Sequence, residues 1–292
     1  MGFTGVRLGG VAVLIDVDDA VSGRLQRSLR WRRPRGRSLA PSALTSKVHL
    51  AAAPRAEALT LKERVAKLEW YHTIDLGHGV VTPGSFDHRP YLDDFQLPAR
   101  IDGMRVLDVA TFDGFWAFEC EKRGAAEVVA IDLDRFGDVD LAPRVRKALS
   151  SEQLNKPLGT GFTLAHDALK SKVRRQALSV YELSPEHLGT FDFVFCGDLL
   201  LHLTSPIKAL QNIRSVVGGR AVIVDTFHPL LPQKTIKYVG GAETSVWWHF
   251  SLGALEQMIR DAGFADVQLV NKFQMKYDEG KTLWQAVFSA TP

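Results

Sequence analysis

Cysteine, methionine and long apolar runs are scarce: the chain has two cysteines and four methionines in 292 residues. Cys120 and Cys196 have no histidine or cysteine neighbour at ligand spacing, so neither a disulfide framework nor a metal site is expected. The apolar run Val11–Ile15 is too short to cross a bilayer, and Asp16, Asp18 and Asp19 follow at once. Neither a signal peptide nor a membrane span is expected, and a cytoplasmic chain with no membrane partner fits both absences. One-sided charge is missing too, since 36 Lys+Arg against 33 Asp+Glu leave +3. With 46% hydrophobic and 24% charged residues, the composition is ordinary globular and the core needs no staples.

The chain is organised around Arg105–Glu119. The apolar run Val106–Val109, broken by Asp108, ends in Ala110 and Thr111, and an amphipathic segment follows, which reads as strand, tight turn and helix. A ligand there meets the open amides of a helix N-terminus. Glu127–Asp132 is a second apolar strand ending in a carboxylate, 24 positions beyond Asp108. An acid about 20 residues past the first turn of a βαβ unit grips a ribose diol, which points to a nucleoside cofactor. The turn lacks the three-glycine fingerprint: Gly114 is its one glycine, and Ala110 and Asp113 stand where a pyrophosphate needs close backbone approach. NAD is therefore disfavoured and S-adenosylmethionine favoured.

Three spaced motifs carry a more specific likeness: Val106–Trp116, Trp70–Gly77 with Val81–Gly84, and Leu200–Pro206. From about Leu61 to the C-terminus the chain resembles the class I methyltransferases similar to the tRNA wobble-uridine 5-oxyacetate methyl/carboxymethyltransferases. The resemblance implies a doubly wound α/β Rossmann-like fold with a sheet of about seven strands, and S-adenosylmethionine as cofactor. It places the cofactor against Trp70, Tyr71, Thr82, Asp108, Ala110, Thr111, Asp113, Gly114, Asp132, Tyr181, Glu182, Gly197, Asp198 and Leu199. His72 falls where the carboxymethyl-transferring relatives carry a lysine, and Leu201 replaces their tyrosine. Lys281 stands where they have arginine. Loss of the lysine and tyrosine favours the plain donor over the carboxylated one.

Residues 1–47 differ from the rest. Seven arginines crowd positions 24–37 among Pro34, Gly36 and Ser38, so a disordered basic leader is expected. A solvated or misplaced start, a phosphate-binding arm and a transit peptide all stay open for it. Residues 48–99 are expected to supply a helix and a cofactor-covering loop, and 100–292 the methyltransferase domain. Thr60 and Glu63 form a capping box for a helix over 59–68. That helix delivers Trp70 and Tyr71 either to the cofactor, whose sulfonium an aromatic face attracts, or simply to the core.

Helices are expected over 141–150 and 159–178, with 179–183 as the tip of a third strand. Phe191–Asp198, Gly219–Thr226, Val267–Val270 and Leu283–Phe288 read as further strands, the last two a hairpin around 272–281. Ser251 caps a helix over 251–262. The segment 229–250, with Trp247 and Trp248, is a candidate acceptor lid.

The expected chemistry is in-line displacement at the sulfonium methyl, which asks chiefly for alignment. His202 is the leading base candidate, His72 a weaker catalytic candidate and His228 a second base. A small-molecule acceptor, hydroxylated or carboxylated, is the first reading and a wobble nucleotide of tRNA the second. From another class comes a non-catalytic binding module that has lost the donor.

Overall fold

The computed structural model describes residues 59–240, 246–277 and 280–292, and the backbone of Arg7–Leu8 and Val11–Ala12, which pair antiparallel. Apart from those two short strands, the expected leader lies outside the described residues.

The capping box forms as expected: Thr60 accepts from the Glu63 N–H while the Glu63 carboxylate accepts from the Thr60 N–H, starting α1 (Leu61–Ala66). The chain then runs through β1 (Arg105–Val109), α2 (Phe115–Lys122) and β2 (Glu127–Asp132). Next come α3 (Pro143–Ala148), α4 (Ser151–Leu154), α5 (Thr160–Leu169) and β3 (Arg174–Ala177). After α6 (Pro185–Leu188) follow β4 (Phe191–Gly197), α7 (Pro206–Val216) and β5 (Val217–Thr226). A two-stranded sheet pairs β6 (Ile236–Tyr238) with β7 (Trp248–Phe250), and α8 (Leu252–Asp261) leads to β8 (Asp266–Tyr277) and β9 (Lys281–Thr291).

Seven strands form one sheet in the order β8-β9-β5-β4-β1-β2-β3, parallel except for β9, which runs antiparallel to both β8 and β5. Alternate residues of each central strand feed opposite cores. Leu107 and Val109 pack with Leu210, Ile213, Leu255 and Ile259 of α7 and α8. Val106 packs with Phe118 of α2, Phe162 of α5 and Trp70, Ile74 and Phe95 of the N-terminal segment. Phe193–Cys196 of β4 are each at most 1% exposed, as a parallel strand covered on both faces requires. Successive strands leave β1 in opposite directions, towards β2 and towards β4. That switch point opens a crevice at the carboxyl ends of the strands.

Some expected boundaries are corrected. The helix expected over 159–178 ends at Leu169, where Lys170 turns left-handed (φ 52°), and the third strand is β3 rather than 179–183, which is a turn. β3 is an edge strand reading Arg-Arg-Gln-Ala, so solvent on its free side removes the apolar signature. Pro143 at the first turn delays the helix expected from 141. The final hairpin is longer than 267–270 and 283–288, its strands meeting near Tyr277 and Lys281.

Candidate functional site

A cavity lies over the carboxyl ends of β1, β2 and β4. Of the residues expected at the site, Tyr71, His72, Asp108, Ala110, Asp132, Tyr181, Gly197, Asp198, Leu199 and His202 line it. Trp70, Thr82, Thr111, Asp113, Gly114 and Glu182 do not, and His228 and Lys281 also lie elsewhere.

The turn after β1 is wound tightly. Ala110 (φ 60°), Phe112 (φ 50°) and Gly114 (φ 92°) all adopt left-handed backbone, which costs the two non-glycine residues about 1–2 kcal/mol each. Gly114 is required, because a Cβ there would lie 2.5 Å from the Phe118 ring. Asp132 holds the turn from β2: its Oδ2 accepts the Phe112 N–H and its Oδ1 the Leu133 N–H, each at 2.7 Å. Each oxygen keeps a lone pair for a diol. Asp108 is 1% exposed, its Oδ2 has no partner among the described residues, and desolvation pushes its carboxyl up to about 7. An acid at the β2 tip and an acid with one unpartnered oxygen at the β1 tip fit a cationic nucleoside.

Asp113 and Thr82, which do not line the cavity, hold its roof. Asp113 accepts the backbone N–H groups of Tyr71 and His72. The Thr82 hydroxyl donates to the His72 carbonyl and accepts the Ile74 N–H, both at 2.7 Å. The Trp70 indole N–H donates to the Val65 carbonyl at 3.0 Å, which satisfies the core reading of that ring. Tyr71 alone of the pair reaches the cavity, with its ring against Phe86 and Phe112.

At the inner end His72 meets His88, a residue the sequence had not singled out, with ring centroids 5.3 Å apart. Burial drives the His72 imidazole well below its ordinary range and His88 to about 3, so both are neutral. Trp116 and Phe195 complete that end.

On the other side of the switch point, Asp198 (φ 49°) ends β4, and the Gln285 amide nitrogen donates to both its oxygens at 2.9 and 2.8 Å. Asp225 stands behind it and accepts the N–H groups of Leu200 and Thr226. Desolvation pushes Asp198 up to about 6, and desolvation with the neighbouring Asp198 charge pushes Asp225 up as well.

Over β3, the Tyr181 hydroxyl donates to Asp140 Oδ2 at 2.7 Å, and Thr204 donates to the same oxygen from its N–H and its hydroxyl. Trp247 donates to the Asp140 carbonyl and Trp248 to the Leu203 carbonyl, both at 2.8 Å, so both indoles of the lid segment tie it to the crevice rim. Glu182 is exposed. His228 is exposed and stacks on His249 at 4.0 Å.

Asp140 and Gln285, like His88, were missed by sequence reading. Gln285 had a signal, a lone amide inside the apolar run Leu283–Phe288, whereas His88 and Asp140 had none. Among the described residues, five aspartates (108, 132, 138, 140 and 198) line the cavity and no lysine or arginine does.

Comparison with known proteins gives the same picture. A family model described as a methyltransferase domain matches residues 88–269, more than half of the chain. The chain is 26% identical over 211 residues to a tRNA U34 carboxymethyltransferase of Ectopseudomonas mendocina (strain ymp), covering 70% of this chain and 56% of that protein. To the protein of the same name from Campylobacter jejuni subsp. jejuni serotype O:2 it is 24% identical over 193 residues, covering 63% and 57%. The chain thus spans little more than half the length of these relatives. The crystal structure of the N-terminal domain of EvdMO1, in the presence of SAH and D-fucose, superposes with a TM-score of 0.51 at 16% identity, over 79% of this chain and 95% of that one. The chain belongs to the methyltransferase domain family and has the class I fold of S-adenosylmethionine-dependent methyltransferases.

Proposed function

We propose that the cavity binds plain S-adenosylmethionine and presents its methyl group to a small hydroxylated acceptor. One observation carries the reading: aspartates line the cavity and, among the described residues, no lysine or arginine does. The plain donor brings a sulfonium and an ammonium against a single carboxylate, a net positive charge that such a lining complements. A carboxylated donor, or a carboxylated acceptor, enters among like charges with no cation to meet it. Lys281 opens β9 away from the lining, and His72 is held neutral.

In this reading Asp132 takes the ribose diol and residues 178–181 the adenine. The strained turn and Asp108 take the amino-acid end, with Gly197 to Leu199 beside the methyl. Residues 59–99 act as the cover. The chain's own work is to align the acceptor oxygen with the S–CH3 bond and exclude water, and His202, which lines the cavity, would receive the hydroxyl proton. A cytoplasmic location fits two free, buried thiols.

The relatives' names keep a second reading, methylation of the wobble uridine of tRNA, and the arginines of 24–37 would suit a phosphate backbone. Incubation with methyl-labelled S-adenosylmethionine separates the two. Label in a panel of small hydroxylated compounds, insensitive to salt, is the expected result; label in unmodified tRNA, lost steeply with salt, would contradict it.

A further inference from the structure

Asp198 stands at the tip of β4, and the order β2-β1-β4 puts it two strands from Asp132 at the tip of β2. Neighbouring strands lie about 4.8 Å apart, so the two carboxylates flank a span of roughly 10 Å across the crevice. A donor whose ribose rests on Asp132 carries its sulfur over β1 towards β4, beside Asp198.

The Asp198 carboxylate is fixed rather than free. Its residue adopts left-handed backbone (φ 49°), and the fully buried Gln285 donates to both oxygens. Asp225 faces it from β5, Tyr71 from the roof and Cys196 from its own strand. No lysine or arginine lines the cavity among the described residues. A carboxylate fixed by the Gln285 amide beside a second acid, with no lysine or arginine to meet it among the cavity's described residues, is half of an ion pair.

We infer that Asp198 is the counter-ion of the donor sulfonium and makes the site discriminate the charged donor from its neutral product. The inference rests on the donor reading above. As the S–CH3 bond breaks, its electron pair stays on sulfur, the acceptor oxygen gains the methyl and its proton passes to His202 and from there to solvent. The sulfur is then a neutral thioether, and Asp198 no longer holds it. Nucleoside contacts alone retain the product, which eases its release.

Calorimetric titration of the full chain at pH 8 with S-adenosylmethionine and S-adenosylhomocysteine tests this, using wild type, Asp198→Asn and Asp132→Asn. Asp198→Asn is expected to weaken the charged donor about tenfold and leave the neutral product within about twofold. That unchanged product affinity also shows the variant to be folded. Asp132→Asn is expected to weaken both ligands in parallel, because both carry the ribose. Equal weakening of both ligands by Asp198→Asn, or of neither, would overturn the counter-ion role and leave the donor reading standing. Failure of wild type to bind either ligand would overturn the donor reading and the inference with it.

Discussion

The carboxylate of Asp113, in the turn after β1, accepts the backbone N–H of Tyr71 at 2.7 Å and of His72 at 3.1 Å, joining segments 42 and 41 positions apart. Asp113 is 4% exposed, so its removal strands two N–H groups in a dry environment. Asp113→Ala is expected to cost about 2–4 kcal/mol of stability. It is also expected to weaken donor binding, because Tyr71 and His72 line the cavity. Denaturant unfolding and donor titration check this, and unchanged stability would show that the tie is idle.

Gly84 lets two backbone segments touch. A Cβ there would lie 2.1 Å from the His72 carbonyl carbon and 2.3 Å from the Thr73 nitrogen, backbone atoms that cannot step aside. Gly84→Ala is expected to lose about 1–3 kcal/mol by displacing the roof. Gly77, whose added Cβ meets nothing within 4 Å but whose φ is +78°, is expected to tolerate asparagine far better. Melting temperatures of the two variants make the comparison, and equal losses would contradict it.

Desolvation raises Asp108 and Asp113 from 3.8 to about 7. Groups whose folded pKa lies above the unfolded value favour the folded state when protonated. That contribution is full below about pH 4 and is lost as pH rises towards about 7. Pairs such as Arg100–Asp102 pull the other way but are exposed and screened. The ligand-free protein is therefore expected to melt lower at pH 8 than at pH 5. A cationic donor favours ionised aspartates, so its stabilising shift is expected to be larger at pH 8. Scanning calorimetry with and without S-adenosylmethionine reads both, and a donor shift that shrinks with rising pH would contradict the electrostatic reading.

His202 sits in the short helical turn Leu200–His202 and lines the cavity, as do His72 and His88, whose imidazoles burial holds neutral. His202→Ala is expected to lower turnover of an identified acceptor about 10²–10⁴-fold while donor affinity holds. Rapid-quench and titration measurements separate the two effects. Loss of folding instead would assign His202 to packing.

The parts of the fold legible in sequence are those whose signal is local or doubly buried. β1, its turn, α2 and β2 are read from one continuous stretch, and β4 from four consecutive apolar residues. β3 was hidden because an edge strand of arginines and glutamine looks like a helix surface once α5 has set the helical period. The site divides in the same way. Asp108, Asp132 and Asp198 follow from strand tips, since the end of a parallel strand is where a ligand sits. Trp70, Thr82 and Asp113 belong to the same motifs, yet they support the cavity from behind. Which face of a turn a side chain takes depends on contacts some 40 residues away, as with Asp113 and Tyr71. His88 and Asp140 gain meaning only when folding brings them to His72 and Tyr181.

The most direct measurement is calorimetric titration of the chain, with and without residues 1–47, against S-adenosylmethionine and its carboxylated counterpart. Micromolar binding of the plain donor by both forms, with the carboxylated donor at least about tenfold weaker, is the expected result for a cavity lined by aspartates without a lysine or arginine. Tighter binding of the carboxylated donor would contradict the plain-donor reading, and binding of neither would leave a methyltransferase fold that has lost its donor.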